Sequence, residues 1–294
     1  MRLMSLFNLI FVIILGLTVA VDYFVFSSFF EESAKRQVLE QAKLMQQTSM
    51  SMRRYTSEQI DPIVQSLDPD DHHFYPQRVP AYAATENFNY LRRQNHEYAY
   101  REATLNPTNP RDRATDWEAD IINAFRDDPS KKEFTTVRRS ATGQSLVLAT
   151  PIVVHTPCLA CHDTAAKAPA SIIRQYGSAN GFGWKLNEVV GAQIVSVPMA
   201  FPRQLASEAL RSSMLSLLVV AALTLLVLNV MLSLFVVKPV YRLATRADEI
   251  SRGDLEIPEL PVTGHNEISV LAAAFNRMHR SLKSALKMLD QGHQ

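Results

Sequence analysis

The chain is nearly devoid of cysteine. Cys158 and Cys161 are the only two in 294 residues. One pair cannot staple a disulfide-built scaffold. A polybasic block is missing too: 30 Lys and Arg stand against 29 Asp and Glu, for a formal net charge of +1. Without a basic stripe there is no electrostatic footprint for nucleic acid. No nucleophile–base pair, phosphate loop or metal-hydrolase spacing can be picked out, so no enzymatic activity is expected.

Long apolar runs are what the chain does have. Leu3 to Val21 carries no charge, and Asp22 interrupts just before Tyr23-Phe24-Val25-Phe26. A helix needs roughly 20 residues to cross a hydrocarbon core of about 30 Å. An Asp near the interface costs far less than one at mid-bilayer, and aromatic residues suit that boundary. A cleaved signal peptide is the alternative, but the run is long for one and no small-x-small site follows it. Ser212 to Val237 is a second uncharged run and reads as a transmembrane helix. Lys238, Arg242 and Arg246 follow it, which favours a cytoplasmic C-terminal segment. Residues 31–211 then form a loop outside the cytoplasm.

Within that loop, Glu31 to Gln59 is expected to continue the first span as a helix, and Arg203 to Arg211 to lead back into the second. Residues 61–115 are rich in proline and aromatic rings and read as short helices and ordered loops. Thr115 with Glu118 three residues on suggests a capped helix to Arg126. Phe134 to Val154 reads as strand, turn, strand, with Thr142-Gly143-Gln144 as the turn, and Ala192 to Val197 as a further strand. The sum is an α+β domain.

Cys158-Leu159-Ala160-Cys161-His162 matches C-x-x-C-H, the attachment signature of haem c. Two thiols on one tight turn can bond the two vinyl carbons at one porphyrin edge, and the adjacent His can offer its imidazole to iron. A zinc site would need further ligands, and a thioredoxin-like redox pair would need a βαβ setting. A plain disulfide would not need His162. His162 is therefore the expected metal ligand. The far side of the iron is open: His72, His73, His96, His155, Met50, Met52 and Met199 can each ligate by chemistry, and a vacant position would suit nitric oxide or carbon monoxide. Asn106 and Asn109, in the rigid turn Leu105-Asn106-Pro107-Thr108-Asn109-Pro110, are candidates to orient a haem propionate or distal ligand. The glycine-rich segment Tyr176 to Trp184 reads as a tight loop near a cofactor, or as a compact set of turns.

Tyr98 to Glu118 (YAYREATLNPTNPRDRATDWE), Pro157 to His162 (PCLACH) and Tyr176 to Pro198 together resemble the Tll0287-like haem domain of bacterial membrane sensors. The resemblance implies a PAS-like fold, haem held by Cys158 and Cys161, and His162 as proximal ligand. The early-helix cysteine that one member of that family uses as the other axial ligand has no counterpart here.

Beyond the second span, Val240, Leu243, Ala247 and Ile250 follow helical spacing. Leu255, Ile257 and Leu260 thread a connector. Ile268, Leu271, Phe275, Met278, Leu282, Ala285 and Leu289 repeat in steps of three and four. Such seams need a partner, and a homodimer forming a four-helix bundle supplies one. The stretch resembles a HAMP linker through Pro239, Gly253-Asp254, Glu267 and those apolar positions, with Asn266 where an acidic residue is usual. HAMP units relay helix movement as a change of bundle packing.

The expected organisation is a transmembrane helix over residues 1–30, a periplasmic PAS-like haem domain over 31–211, a second span over 212–237, a HAMP coiled-coil segment over 238–290 and a tail over 291–294. The expected protein is a two-pass bacterial inner-membrane haem sensor for a redox or gas signal, acting through a separate cytoplasmic output protein or membrane complex. An electron-transfer cytochrome subunit is the alternative, and a haem-free ligand sensor with a Cys158–Cys161 disulfide a third.

Overall fold

The computed structural model describes residues 2–140, 143–262 and 264–292. The chain divides into two compact units, one of residues 25–210 and one joining residues up to 24 with those from 211 onward.

Helix α1 runs from Arg2 to Tyr55, as expected of a stretch with no Gly or Pro between Leu17 and Asp61. At Pro62 the missing N–H and the ring would clash with the carbonyl four residues back. The backbone widens into a π turn at Thr56–Ile60 and resumes as α2, Asp61–Leu67. Then come α3 (Pro80–Gln94), β1 (Ala99–Thr104), α4 (Asp116–Asp127), β2 (Phe134–Ser140) and β3 (Gly143–Val153). The single turn α5 (Leu159–His162), α6 (Ala170–Tyr176) and β4 (Val189–Pro198) complete the set before α7 (Ala200–Leu232).

The four strands form one antiparallel sheet in the order β1-β4-β3-β2. The expected hairpin is there. Gly143 and Gln144 belong to β3 rather than to its turn, and Thr142 lies outside the described residues. The strand β1 is a correction: its residues fall where short helices and loops were expected.

Alternation along the strands gives the sheet two faces. Leu146, Leu148, Val195 and Val197 point towards Val38, Ala42 and Met45 of α1 and towards Ala84 and Phe88 of α3. Phe88 also stacks on Tyr100, with ring centroids 4.7 Å apart. Val147, Ala149, Ala192 and Ile194 pack on the opposite side against Ile121, Ile122 and Phe125 of α4. Burying each large side chain is worth about 1.5–3 kcal/mol. Helix α4 begins in the expected capping box, the Thr115 backbone N–H donating to Glu118 Oε2 at 2.7 Å.

The other unit contains two apolar helical stretches long enough to cross a membrane. Their Leu, Ile and Val side chains are largely exposed, Leu17 and Leu215 each by 65%. Lipid rather than water is the solvent that tolerates such a surface. Asn229 Nδ2 donates to Asn8 Oδ1 at 2.8 Å between the two stretches, and to its own helix at Leu225 O. A second π turn, Ser233–Val237, precedes Pro239 for the reason given for Pro62. Helix α8 (Lys238–Ser251) and helix α9 (Glu267–Gly292) follow. The connector between them is pinned on α9. Leu260 packs with Leu243 and Ala272, and the Asn276 amide exchanges two bonds with the Leu260 backbone at 2.9 and 2.8 Å. Asn266, the departure from the usual acidic residue, accepts the Ser269 N–H at 2.9 Å and so caps α9. Leu271, Met278 and Leu282 of the expected seam are exposed, while the side chain of Leu289 lies outside what is described.

Candidate functional site

Three chain segments meet at one end of the sheet. β1 and β3 end there and β4 begins there, Gly191 lying opposite both Thr104 and Ile152. The turn leaving β1, the Cys-containing turn leaving β3 and the loop entering β4 are therefore neighbours, though dozens of residues apart in sequence.

The turn after β3 is a 3-10 turn at Thr156–Cys158 that passes straight into α5. The Cys158 N–H donates to His155 O at 2.9 Å, and Cys158 Sγ accepts from the His155 N–H at 3.5 Å. Cys158 and Cys161 are both half-buried and are not bonded to each other. Burial pushes the Cys161 thiol pKa up, and Arg78 acts against this. Arg78 itself pairs with Asp61 at 2.7 Å.

His162 is held on several sides. Its Nδ1 lies 2.7 Å from Gly181 O, and Thr108 Oγ1 approaches the same nitrogen at 3.4 Å. A carbonyl can only accept, so Nδ1 carries the proton and Nε2 keeps its lone pair. The imidazole stacks on Trp184 at 3.9 Å and 12°. Two backbone bonds tie the loop to α5: Trp184 N–H to His162 O at 3.2 Å and Gly183 N–H to Asp163 O at 2.7 Å. Burial lowers the His162 pKa, with the Gly181 bond opposing. The result is a neutral ring anchored through one nitrogen, the form in which an imidazole binds a transition metal.

The turn of residues 105–110 reaches His162, but through Thr108 rather than the asparagines singled out from sequence. Asn106 is exposed. The Asn109 side chain accepts from the Arg111 N–H at 3.2 Å and caps the following 3-10 turn. The residues considered for the other side of an iron occupy ordinary places. His72 and His73 are exposed beside Asp70 and Asp68, each pair at 3.8 Å. His96 bonds Arg92 O at 2.7 Å on the surface, and His155 is exposed. Met50 is 50% exposed, Met52 packs at the edge of the core, and Met199 is fully buried within it.

Sequence reasoning missed Thr108 and Trp184 as partners of His162, and took Gly181 only as part of a tight loop. Gly181 has φ +83°, and a Cβ there would stand 2.0 Å from Thr108 Oγ1. Among the described residues no group of three His, Cys, Asp or Glu is arranged so as to hold a metal ion.

The Cys158–Cys161–His162 spacing and the neutral, Nδ1-anchored imidazole fit one covalently attached haem c. An α+β domain with this motif, flanked by two long apolar helices and continued by a helical HAMP-like region, defines a membrane-associated haem sensor. The chain belongs to the Tll0287-like family, whose profile matches residues 31–198. The HAMP domain profile matches residues 231–284. Both are signalling modules, not catalytic ones. A solved structure titled "Crystal structure of the cyanobacterial heme-protein Tll0287" is similar at 18% identity and a TM-score of 0.43, over 54% of this chain and 94% of its own. No curated protein matches the chain. The topology is two-pass in the inner membrane, with the HAMP region on the cytoplasmic side.

Proposed function

We propose that Cys158 and Cys161 hold the haem through thioether bonds, that His162 Nε2 is its proximal ligand, and that a change in charge or ligation at the iron is the signal sent through the HAMP segment. The single observation that carries this is the His162 Nδ1–Gly181 O bond of 2.7 Å, which presents Nε2 before any metal arrives. When bound, haem c supplies a one-electron redox centre that can also take a diatomic ligand. The protein supplies the rest. Gly181 and Trp184 fix the imidazole plane, Arg78 and Asp61 flank the Cys161 side, and Asn106 is the free polar group of the neighbouring turn, available to a propionate. Asn109 shapes that turn.

The domain is read as a PAS-like variant, an antiparallel sheet whose helical connections carry the cofactor, placed in the periplasm. Its limits are read as residues 31–211, with spans over 1–30 and 212–237, a HAMP segment over 238–290 and a tail over 291–294. The unit of residues 25–210 and the two profile matches support these limits. Exposed Leu271, Met278 and Leu282 on α9 support a homodimer through the HAMP segment. A separate cytoplasmic output protein or membrane complex would read the bundle.

The test is the full chain made in a host that matures c-type cytochromes, then purified in detergent. A Soret band, a reduced haem c spectrum and the added mass of one haem are expected, all lost in Cys158→Ala/Cys161→Ala. Colourless protein without the added mass refutes the reading. A spectrum that carbon monoxide leaves untouched in the reduced state selects redox over gas as the signal.

A further inference from the structure

The extramembrane part of α1 changes character along its buried face. Ala34, Val38 and Ala42 come first and are apolar. Gln46, Ser49 and Arg53 follow at helical spacing, and all are polar. They meet a polar end of the sheet. Gln46 Nε2 donates to Thr150 Oγ1 at 2.8 Å and to Gln193 Oε1 at 2.5 Å. Arg53 pairs with buried Glu102, and the Tyr100 hydroxyl donates to the other Glu102 oxygen at 2.7 Å. Burial and the Glu102 charge hold that hydroxyl protonated, so it is a fixed donor.

Stability alone does not ask for this. A buried ion pair is often no better than apolar packing, and its best-attested use is to specify register or a switch. Its position is telling. Glu102, Thr150 and Gln193 each lie two residues in from Thr104, Ile152 and Gly191, where the segments bearing Thr108, His162 and Gly181 leave the sheet. Arg53 is also within electrostatic reach of Cys158, and Glu102 of Asp112 in the turn after Thr108.

We infer that the Arg53–Glu102–Tyr100 chain, in which Glu102 and Tyr100 are buried and Arg53 is half-buried, is the link through which the charge on the cofactor reaches α1. This rests on the haem reading above. Ferric and ferrous forms, poised by an external one-electron couple, differ by one charge. The ferric form favours Glu102 as its neighbour and disfavours Arg53, so the two states pull the pair in opposite senses. Coupling is reciprocal. If the charge at the iron moves the pair, altering the pair must move the redox equilibrium.

The test is a spectroelectrochemical titration of the full-length haem-loaded chain. Glu102→Gln should raise the midpoint and Arg53→Met should lower it. Each should shift the oxidised-to-reduced ratio on the order of tenfold, or about 59 mV for one electron. The double variant, which restores the net charge, should return near the parent. Amide exchange at residues 46–56 should differ between oxidised and reduced parent and not in Glu102→Gln. Should the charge variants fail to load haem, Tyr100→Phe keeps both charges. It should leave the midpoint within about twofold in ratio and abolish the redox-dependent exchange difference. Haem present with unmoved midpoints, shifts of the same sign, or an exchange difference that persists in Tyr100→Phe overturns the inference while leaving the haem reading intact. Absence of a Soret band in the parent overturns the haem reading instead.

Discussion

Gly181→Ala isolates the anchoring of His162 with an internal control. Gly181 has φ +83°, and a Cβ would stand 2.0 Å from Thr108 Oγ1 and 2.7 Å from Thr108 N. A rotamer change can remove the hydroxyl, but not the backbone nitrogen. Gly183 has φ +82° with nothing within 4 Å of its would-be Cβ. Alanine at either position carries left-handed backbone strain of about 1–2 kcal/mol. Only Gly181→Ala adds overpacking, about 1–3 kcal/mol, and only there does relief require the carbonyl to move off His162 Nδ1. Losing such an outer partner typically weakens a metal ligand by about 10–100-fold.

Iron and proton compete for Nε2, so that factor reads directly as pH. Acid titration of the Soret band should show the His162 displacement midpoint rising by about 1–2 pH units in Gly181→Ala. In Gly183→Ala it should move by less than about 0.3, although both variants lose thermal stability. A Gly181→Ala protein with the parental acid midpoint would show that the Gly181 carbonyl does not position the ligand.

Three further outcomes follow from the same geometry. His162 has a pKa lowered by burial, so the unfolded chain binds its proton first. The cofactor-free Cys158→Ala/Cys161→Ala chain should therefore lose stability as pH falls below about 6.5, and His162→Gln should flatten that part of the urea-unfolding profile. In cofactor-free protein Cys161, its thiol pKa raised by burial, should alkylate with iodoacetamide more slowly at pH 8 than the same cysteine in urea. An equal or faster rate would contradict the burial. Glu118→Ala removes both the cap bonds and the 3.0 Å partner of Arg101, and should cost about 2–3 kcal/mol in thermal denaturation. A loss under about 0.5 kcal/mol would mean the box is ornamental.

What could be read from sequence was whatever is carried by local chemistry. Thr115 and Glu118 announce α4 because both halves of the capping box lie within one turn. The β2–β3 hairpin is legible because β3 is an apolar run beside a glycine. The Cys158–His162 motif is legible because all its donors fit in five residues. β1 was hidden for the opposite reason. Its inward residues Tyr100, Glu102 and Thr104 include an acid that is buried only because Arg53, on another element, meets it. A period-2 pattern written partly in polar residues does not look like a strand. Asn109 misled because an Asn in a rigid turn serves the turn itself as readily as a ligand. Thr108, Gly181 and Trp184 come to His162 only through the sheet order β1-β4-β3, which no single segment encodes.

That sheet order also sets polar residues of α1 against the end of the sheet from which the turns of the site emerge. Dispersion contacts are non-directional, and a helix resting on Val38 and Ala42 alone gains little from one register over its neighbours. Hydrogen bonds from Gln46 to Thr150 and Gln193 are directional, and a shift of even an ångström breaks them. A buried donor left unpaired costs about 1–3 kcal/mol, so placements that break these bonds are disfavoured. A transmitting element needs two arrangements separated by a barrier, with a small charge change at one end sufficient to choose between them. The apolar half of the interface secures α1 to the sheet. The polar half, nearer His162, determines where along the sheet it rests.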